Sequence, residues 1–550
     1  MKNLFIPVKQ FGKVGIAAAF GLMVSTSFAQ DPEIKNAERL TDQDKKKQAV
    51  NVLQKATETY PTAPHLFYHL GQAQLLAGDQ AGAKATFDKG IAANPKEPLN
   101  YAGQGHIFVL EKKVPQARAS FDKALSFGKK NVATLQAIAK AELGDKALSK
   151  DAFTLLQKAK EINPNDFKTA LLLGDYYLSE NQGGSCASAY EDAETLNPSS
   201  GIPLYKHAML FMRTKNIPVV EEDLQKAIKA DPEFALAHKE LGELYYMKKD
   251  GPKAAKHYQI YLGLTDSPEK DDRFRYAFFL FMAKDYTKAN EEFKLLSTKP
   301  DVTPMTLRFY AKSLTESGNL AEAQKIFESY MSTKKDSVKA VDFSNYADLL
   351  QKQGKDSLAA NAIEKSISLD VNQPILLQTL IDYYFTKKRN YAKAMEFTTK
   401  AIKVRKKPFS NDFFTLGRAN YFLHKYPQAD SAFGKFIELQ PKIALGYIWA
   451  ARSKSAQDTL LTEGLAKPFY EKVIEIDLAA TDPSTVKKDL IDSYSYMGSY
   501  HLTKQEIPVA KGYFEKALAL SPEGAVKERI DAALKLINTP PPQQQKPRKK

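Results

Sequence analysis

The chain has 550 residues, of which 43% are hydrophobic and 26% are charged, a composition that is ordinary for a folded soluble protein. Its single cysteine, Cys186, excludes an intramolecular disulfide. The formal net charge of +15 would attract an anionic partner, but the lysines are scattered along the whole chain, so a solvated surface explains the surplus better.

The N-terminus has the three-part layout of an export signal. A leader with three lysines precedes an apolar run over residues 14–24, and Ser27 and Ala29 supply a small-x-small cleavage pattern. The apolar run is shorter than the roughly 20 residues that a transmembrane helix needs. We therefore predict a signal peptide over residues 1–29, a mature chain that begins at Gln30 and no transmembrane span in the mature chain. An uncleaved anchor or a buried helix is the alternative.

Export predicts where the protein works. No cysteine stands at the end of the signal, which excludes a bacterial lipoprotein anchor. The expected location is the periplasm, with secretion or the cell surface as alternatives. Export also argues against nucleic acid as a partner.

Beyond the leader, a small residue recurs at a nearly constant spacing. We call these positions the anchor residues. There are fourteen, twelve of them alanine, and all successive spacings are 34 to 37 residues except the last, which is 44. In chain order they are Ala49, Ala83, Ala117, Ala152, Cys186, Val220, Ala254, Ala289, Ala323, Ala359, Ala394, Ala429, Ala466 and Ala510. This regularity predicts a repeat architecture.

A bulky residue follows each anchor residue at a fixed distance of four, and only Thr398 breaks the series. The bulky residues are Leu53, Phe87, Phe121, Leu156, Tyr190, Leu224, Tyr258, Phe293, Phe327, Ile363, Phe433, Tyr470 and Phe514. Residues four apart share one face of a helix, so the pattern predicts a bulky side chain on the same face as the anchor residue.

Another small residue precedes most anchor residues by twelve positions, and Lys140 and Asp382 depart from this rule. The small residues are Gly71, Gly105, Gly174, Ala208, Gly242, Ala277, Ala311, Ala347, Gly417 and Gly498. Small residues on facing helices let the backbones approach closely. A proline often follows the anchor residue by twelve positions, where it would end one unit and start the next.

These positions resemble the tetratricopeptide repeat (TPR) family, whose unit is a helix-turn-helix of 34 residues. The best copies contain LGQAQLL, LGDYYLSE and LGELYYMKK. The resemblance covers about residues 30–524 and implies an all-α fold, an α-solenoid of about 14 TPR helix-turn-helix repeats with a C-terminal capping helix. The repeats are expected near 30–63, 64–97, 98–132, 133–166, 167–200, 201–234, 235–269, 270–303, 304–339, 340–374, 375–409, 410–443, 444–480 and 491–524.

The C-terminus is expected to close the array. Residues 525–537 have apolar side chains at helical spacing, as a capping helix requires. Residues 538–550 are basic and rich in proline, which predicts a disordered tail. Such a tail is either a solubilising end or a weak contact for an anionic surface.

Departures from the repeat are concentrated late in the chain. Tyr261, Tyr330 and Phe436 replace the usual small residue seven positions after the anchor residue. Extra residues precede Ala466, and about nine more lie around residues 481–488. We expect the two places with extra residues to change the local curvature of the array but not the fold.

Signatures of catalysis are missing. The sequence has no HExxH, GxSxG, GxxxxGK[ST] or CxxC, so we predict no enzyme activity, no cofactor and no metal site. Cys186 stands at an inward position, where a buried thiol is favoured over a nucleophile. His65 and His69 are four residues apart, and His106 follows in the next repeat. Metal binding is the alternative to three ordinary histidines.

A groove lined by the first helix of each repeat is what the resemblance implies for binding. Aromatic and basic side chains at groove positions suit a partner with apolar side chains and carboxylates. The alternative is that the aromatic rings only pack between repeats. The asparagine and lysine clamp of some family members is not reproduced. By register, the predicted partner-binding residues are Tyr205, Lys239, Glu243, Tyr246, Phe274, Phe281, Arg308, Lys312, Phe414, Arg418 and Tyr421.

The function that these observations favour is a non-catalytic scaffold or adaptor of the bacterial cell envelope. A protein or peptide partner would dock a segment in the concave groove, with its affinity spread over several repeats. Two alternatives remain: a module that binds glycan or peptidoglycan, and a subunit of an enzyme complex.

Overall fold

The computed structural model describes residues 31–480 and 482–539, and all regular structure within these residues is helical. This confirms the predicted fold class, an all-α protein built from helical repeats. The predicted signal peptide and residues 540–550 of the predicted tail lie outside the described residues. The chain divides into two compact units, Met1–Gly318 (unit 1) and Asn319–Lys550 (unit 2).

Unit 1 is a succession of short helices of similar length, in which successive helices pack against each other. They are α1 (Asp31–Asp42), α2 (Lys46–Thr59), α3 (Pro64–Leu76), α4 (Gln80–Ala93), α5 (Pro98–Leu110), α6 (Val114–Gly128), α7 (Val132–Glu142), α8 (Ser149–Ile162), α9 (Phe167–Ser179), α10 (Gly183–Leu196), α11 (Ile202–Arg213), α12 (Ile217–Ala230), α13 (Ala235–Met247), α14 (Gly251–Leu264), α15 (Asp272–Met282), α16 (Tyr286–Ser297) and α17 (Pro304–Glu316).

Unit 2 continues the same alternation of helices. Its helices are α18 (Leu320–Thr333), α19 (Ala340–Lys352), α20 (Asp356–Leu369), α21 (Pro374–Asp382), α22 (Tyr391–Val404), α23 (Ser410–Phe422), α24 (Tyr426–Leu439), α25 (Ala444–Gln457), α26 (Lys467–Leu478), α27 (Pro483–Thr503), α28 (Ile507–Ala519) and α29 (Gly524–Asn538). A 3₁₀ turn, Lys335–Ser337, precedes α19, and a π turn, Tyr383–Lys387, follows α21.

The anchor residues form the centre of each helical pair. All fourteen are at most 1% exposed, so the burial agrees with the register that the spacing predicts. Thr398, which breaks the bulky series, is also fully buried, and its Oγ1 donates a hydrogen bond to the Ala394 carbonyl at 2.7 Å. Its hydroxyl is therefore satisfied within its own helix, so the exchange of a bulky group for a polar one leaves no unpaired donor.

Glycine against an aromatic ring is the closest packing in these pairs. A Cβ atom at Gly71 would lie 2.3 Å from Phe87 Cε1, and one at Gly174 would lie 2.2 Å from Tyr190 Cε1. The small residue twelve positions before the anchor residue thus faces the bulky residue four positions after it. Because the rings are buried on all sides, they cannot move aside, and the glycine fixes how closely the two helices approach.

We expect Gly417→Ala to lower the free energy of unfolding by about 1–3 kcal/mol, because its Cβ would lie 2.5 Å from the fully buried Phe433 ring. Gly434→Ala in the same pair is the control: outside the neighbouring backbone of α24, no atom lies within 4 Å of its Cβ, and the change should stabilise α24 by about 0.5–1 kcal/mol. Urea unfolding followed by fluorescence of Trp449, whose ring lies 6.2 Å from Phe433, measures both. Equal effects of the two substitutions would contradict this packing.

The three bulky departures are accommodated by the helix that follows each of them. Tyr261 is 1% exposed and donates its hydroxyl to Asp272 at 2.7 Å, at the start of α15. Tyr330, fully buried, donates to Asp342 of α19 at 2.9 Å. Phe436 packs instead against Gly446, where a Cβ would lie 2.6 Å from its ring. Each oversized residue thus has a partner that the repeat pattern does not predict.

The extra residues near the C-terminus form defined structure. Those before Ala466 make a loop around Asp458, which accepts hydrogen bonds from the backbone N–H groups of residues 462–465. Burial acts to raise the pKa of Asp458, but these hydrogen bonds hold that pKa below its ordinary value. The extra residues around 481–488 lengthen α27, which begins at residue 483 rather than near 491, because Asp482 caps it by accepting from the Ser484 N–H at 2.9 Å.

The last helix covers the end of unit 2. Ile530 of α29 is 1% exposed and packs in one cluster with Phe514 and Ala517 of α28 and Leu490 of α27. Its bounds, Gly524–Asn538, overlap the capping helix that was predicted over residues 525–537.

A distant carboxylate caps the second helix of unit 1. The two oxygens of Asp266 accept hydrogen bonds from the backbone N–H groups of Lys47 at 3.2 Å and Gln48 at 2.8 Å. These groups belong to the first turn of α2, where N–H groups have no partner within the helix. A residue that follows α14 therefore performs the role that a local N-cap side chain performs elsewhere in the chain.

Further polar contacts join the same two parts of unit 1. Thr265 Oγ1 donates to the Asp44 carboxylate at 2.7 Å, and Lys45 Nζ donates to Glu233 at 2.8 Å. The partners are 188 to 221 residues apart, so the first helical pair of unit 1 contacts helices six repeats further along the chain. We call these contacts the clasp; its residues are Asp44, Lys45, Lys47, Gln48, Glu233, Thr265 and Asp266.

Asp266→Ala should loosen the first helical pair, because α2 then loses its cap and the clasp loses two hydrogen bonds. We expect faster amide hydrogen exchange across residues 46–59, corresponding to about 0.5–2 kcal/mol of lost protection. Asp250→Ala is the matched control, since Asp250 caps its own helix, α14, by accepting from the Lys253 N–H at 3.1 Å. Its effect should be confined to α14. Unchanged exchange over residues 46–59 in Asp266→Ala would show that the clasp does not form in solution.

Candidate interaction surface

The first helices of successive pairs in unit 1 enclose a cavity of about 370 Å³. Side chains of α1, α3, α5, α7, α9 and α11 line it, with Leu53 added from α2. Its walls are largely apolar and include Tyr68, Leu76, Phe167 and Leu172. Such a cavity, with apolar walls and a few polar groups, is the usual form of a binding site.

Two ion pairs hold most of the charge in this cavity. Lys168 Nζ lies 2.6 Å from Glu38 Oε1, and Lys206 Nζ lies 2.7 Å from Asp175 Oδ1. Lys140 of α7 also lines the cavity but has no ion pair or hydrogen bond among the described residues. Burial among the surrounding helices, together with the nearby Lys206, lowers the pKa of its amine. Lys140 is therefore the cation of this cavity without a partner anion of its own.

A carboxyl group and two histidines sit in or beside the same space. Burial, with the charge of Glu38, raises the pKa of Asp42 to about 7. Burial lowers the pKa of His69 to about 4, and that of His106 to about 4. At neutral pH both imidazoles are therefore uncharged, while Asp42 is only partly ionised. Within residues 31–480 and 482–539, no group of three or more His, Cys, Asp or Glu side chains could hold a metal ion.

We expect the stability of unit 1 to fall as pH rises from about 4 to about 7, because the fold keeps a proton on Asp42 that the unfolded chain loses near 3.8. Asp42→Asn removes this dependence, so the variant should resist urea better than the natural protein at pH 8 and equally well at low pH. Asp122→Asn, at an exposed position of α6, controls for the loss of one surface charge. A constant difference between Asp42→Asn and the natural protein across this range would contradict the assignment.

The predicted groove residues of α11 and α13 are partly exposed and mostly engaged within the protein. Tyr205 packs edge-on against Phe234, with ring centroids 5.6 Å apart. Lys239 pairs with Asp272 at 3.1 Å, and Glu243 accepts from Arg275 Nε at 2.8 Å. These last two charges already have partners, so a ligand would have to compete for them.

Aromatic packing also occupies the next groove positions. Tyr246 stacks on Phe279 of α15, with centroids 5.3 Å apart. Phe274 and Phe281 both contact Phe309 of α17, at 6.2 and 5.7 Å. The same helix presents Arg308 and Lys312, both partly exposed. The structure brings these residues together along consecutive first helices; whether they bind a partner stays a prediction.

In unit 2 the predicted residues Phe414, Arg418 and Tyr421 lie on α23 in one aromatic cluster. Phe414 is 8% exposed, so its ring belongs to the core. Tyr421 packs edge-on against Trp449 of α25 at 5.4 Å. Arg418 lies over several rings of this cluster.

Sequence reasoning missed the cavity residues of the early repeats, although one signal pointed to them. Lys140 stands twelve positions before Ala152, where other repeats have glycine or alanine. A lysine at that position has no place in the packing of a helical pair, and the structure places it at the cavity wall. Tyr68 and Leu171 occupy the same register as the predicted Tyr205, fifteen positions before the anchor residue.

Cys186 is buried as predicted, and burial raises the pKa of its thiol.

Comparison with known proteins identifies the repeats. Residues 35–98 and 205–269 match a family model described as tetratricopeptide repeat. A solved structure, the C-terminal part of a TPR repeat-containing protein from Cytophaga hutchinsonii, is 32% identical over 48% of this chain and 99% of that chain, with a TM-score of 0.33. The chain belongs to the tetratricopeptide repeat family.

Other solved TPR proteins are more distant from it in sequence. YrrB, described as a TPR protein with an unusual peptide-binding site, is 23% identical over 34% of this chain and 95% of its own, with a TM-score of 0.22. PilF of Pseudomonas aeruginosa is 18% identical over 40% of this chain and 97% of its own, with a TM-score of 0.29.

The TPR fold makes this protein a scaffold for protein–protein interaction. None of the helices in the part of the chain that the structure describes is long and apolar enough to span a membrane.

Proposed function

We propose that this TPR protein is a non-catalytic adaptor of the bacterial cell envelope that binds an extended segment of a protein partner in the cavity of unit 1. The observation that carries the proposal is the cavity itself, about 370 Å³ of space against the first helices of consecutive repeats. An extended segment would contact several repeats in turn, so that its affinity is the sum of modest local contacts.

The chemistry of the lining favours a partner segment with apolar side chains and at least one negative charge. Tyr68, Phe167 and Leu172 offer apolar surface, and Lys140 offers an ammonium group that lacks a counter-ion. Lys140 is exposed to solvent, so a carboxylate can reach its ammonium group and give it the partner that it lacks. The other two lysines of the cavity are already paired, so they would add little to the attraction.

The envelope location rests on the leader of residues 1–29, with its lysines, apolar run and small-x-small pattern. Cleavage after Ala29 would release a chain that begins at Gln30 into the periplasm.

Site-specific photo-crosslinking in the cells that make the protein tests this function. A photoreactive benzoylphenylalanine replaces Leu172, at the cavity wall, or Lys89, at an exposed position of α4. We expect a discrete protein adduct from position 172 and none from position 89. Lys140→Glu should lower the yield at position 172 about fivefold or more, as a loss of roughly 1 kcal/mol requires. Lys89→Glu is the matched charge control.

Equal crosslinking from both positions, or a yield that Lys140→Glu leaves unchanged, would overturn the proposal. An adduct that contains glycan and no protein would favour the peptidoglycan-binding alternative. Sequencing the N-terminus of the crosslinked chain tests the location in the same experiment, since export predicts Gln30 as the first residue.

A further inference from the structure

Arg418 of α23 is an arginine surrounded by aromatic rings. The guanidinium carbon of Arg418 lies 4.7 Å from the ring centroid of Phe385, 5.1 Å from that of Trp449, 5.7 Å from that of Phe414 and 6.0 Å from that of Phe422. Phe385 belongs to the π turn after α21, Phe414 and Phe422 belong to α23, and Trp449 belongs to α25. The helix α22 contributes Tyr391, whose ring stacks on that of Phe422 with centroids 4.5 Å apart.

Comparison with the other ring-stacked arginines shows what Arg418 lacks. Among the described residues, three more arginines lie over aromatic rings, and each has a carboxylate partner. Arg275 donates from Nε to Glu243 at 2.8 Å, and Arg452 donates to Asp492 at 2.6 Å. Arg405 pairs with Asp412. Arg418 alone has no carboxylate partner, and its Nε atom is buried without a hydrogen-bond acceptor.

Holding a guanidinium group against aromatic rings costs free energy unless its N–H groups find a hydrogen-bond acceptor. Aromatic faces attract a cation, but they do not accept the in-plane hydrogen bonds of a guanidinium group. Burial against the rings lowers the pKa of Arg418, which reflects the same loss of hydration. The side chain remains partly exposed, so a ligand reaches its outer edge from solvent.

We propose that Arg418 and its aromatic surroundings bind a carboxylate that is attached next to an apolar side chain of a partner peptide. The two oxygens of a carboxylate match the planar N–H fork of a guanidinium group, while the half-buried rings of Phe385, Phe422 and Trp449 receive the apolar neighbour. We call this set the Arg418 site. The Arg418 site deepens the proposed function and rests on it, because both require a peptide partner. The site lies in unit 2, so it is tested separately from the cavity of unit 1.

Charge balance around the rings supports a carboxylate as the missing group. Two arginines lie over the Trp449 ring, since the guanidinium carbon of Arg452 is 5.3 Å from the same centroid. Only Arg452 is neutralised, by Asp492. An incoming carboxylate at Arg418 would give the second arginine the same environment that the first already has.

Trp449 makes the test direct, because it is the only tryptophan of the chain. Three synthetic peptides serve as probes for titration of the full chain: acetyl-Gly-Ala-Leu-Phe with a free terminal carboxylate, the same peptide amidated, and amidated acetyl-Gly-Ala-Glu-Phe. We expect saturable quenching of Trp449 by the free acid and about tenfold weaker binding of its amide, the loss of one charge-assisted pair. The glutamate peptide distinguishes a side-chain carboxylate from a terminal one.

Arg418→Gln should abolish the difference between acid and amide, and Arg418→Lys should restore only part of it, because a lysine lacks the planar fork. Arg452→Gln is the matched control, since Arg452 contacts the same indole but already has a partner, and it should keep the full difference. Circular dichroism verifies that each variant is folded.

Equal affinities of the acid and the amide for the natural protein would overturn the inference whatever the variants do. So would an acid preference that survives Arg418→Gln, or the absence of quenching up to about 1 mM peptide, the affinity range of a single weak subsite. Crosslinking at position 172 in Arg418→Gln reports on the unit 1 cavity independently, so failure of the Arg418 site and failure of the proposed function are distinguishable.

Discussion

The contact of a glycine on one helix with a buried ring on the next is the constraint on which the repeats depend. Gly71 against Phe87 and Gly174 against Tyr190 leave no room for a single added methyl group. This contact sets the distance between the two helices of a pair, and the anchor alanine beside it is buried by the same approach. The first helices of these pairs also line the cavity, with large side chains such as Tyr68 and Leu172.

Most of the fold could be predicted from the sequence because its determining contacts are local. The glycine and the ring of one pair are sixteen residues apart, as Gly71 and Phe87 are, so their spacing is visible as a period. Tyr261 and Tyr330 were recognisable as exceptions, but their partners, Asp272 and Asp342, were not, because one buried carboxylate in a charged sequence has no distinguishing pattern. The length of α27 was missed for a related reason: its extra residues continue a helix where the repeat pattern has no position for them.

From the sequence, the candidate surfaces could be predicted only as positions within each repeat, and not as sets of residues in contact. The register placed Arg418 and Tyr421 on the correct helix, but it did not show that Phe414 belongs to the core or that Phe385 and Trp449 lie beside Arg418. Such neighbours come from three successive helical pairs, and their association depends on how the pairs stack. The cavity of unit 1 was missed because its lining combines helices from the first six pairs, whose separate sequences contain only scattered charges and ordinary apolar residues.

The clasp gives unit 1 a property that a simple stack of repeats does not have. A stack whose members touch only their neighbours can begin to fold anywhere and extend in either direction. Here α2 receives its cap from a residue that is synthesised more than two hundred positions later, at Asp266. The first helical pair therefore cannot reach its final state until the seventh has formed, and contacts of such long sequence separation are slow to close. The order of folding in unit 1 is thus set in part by its seventh helical pair.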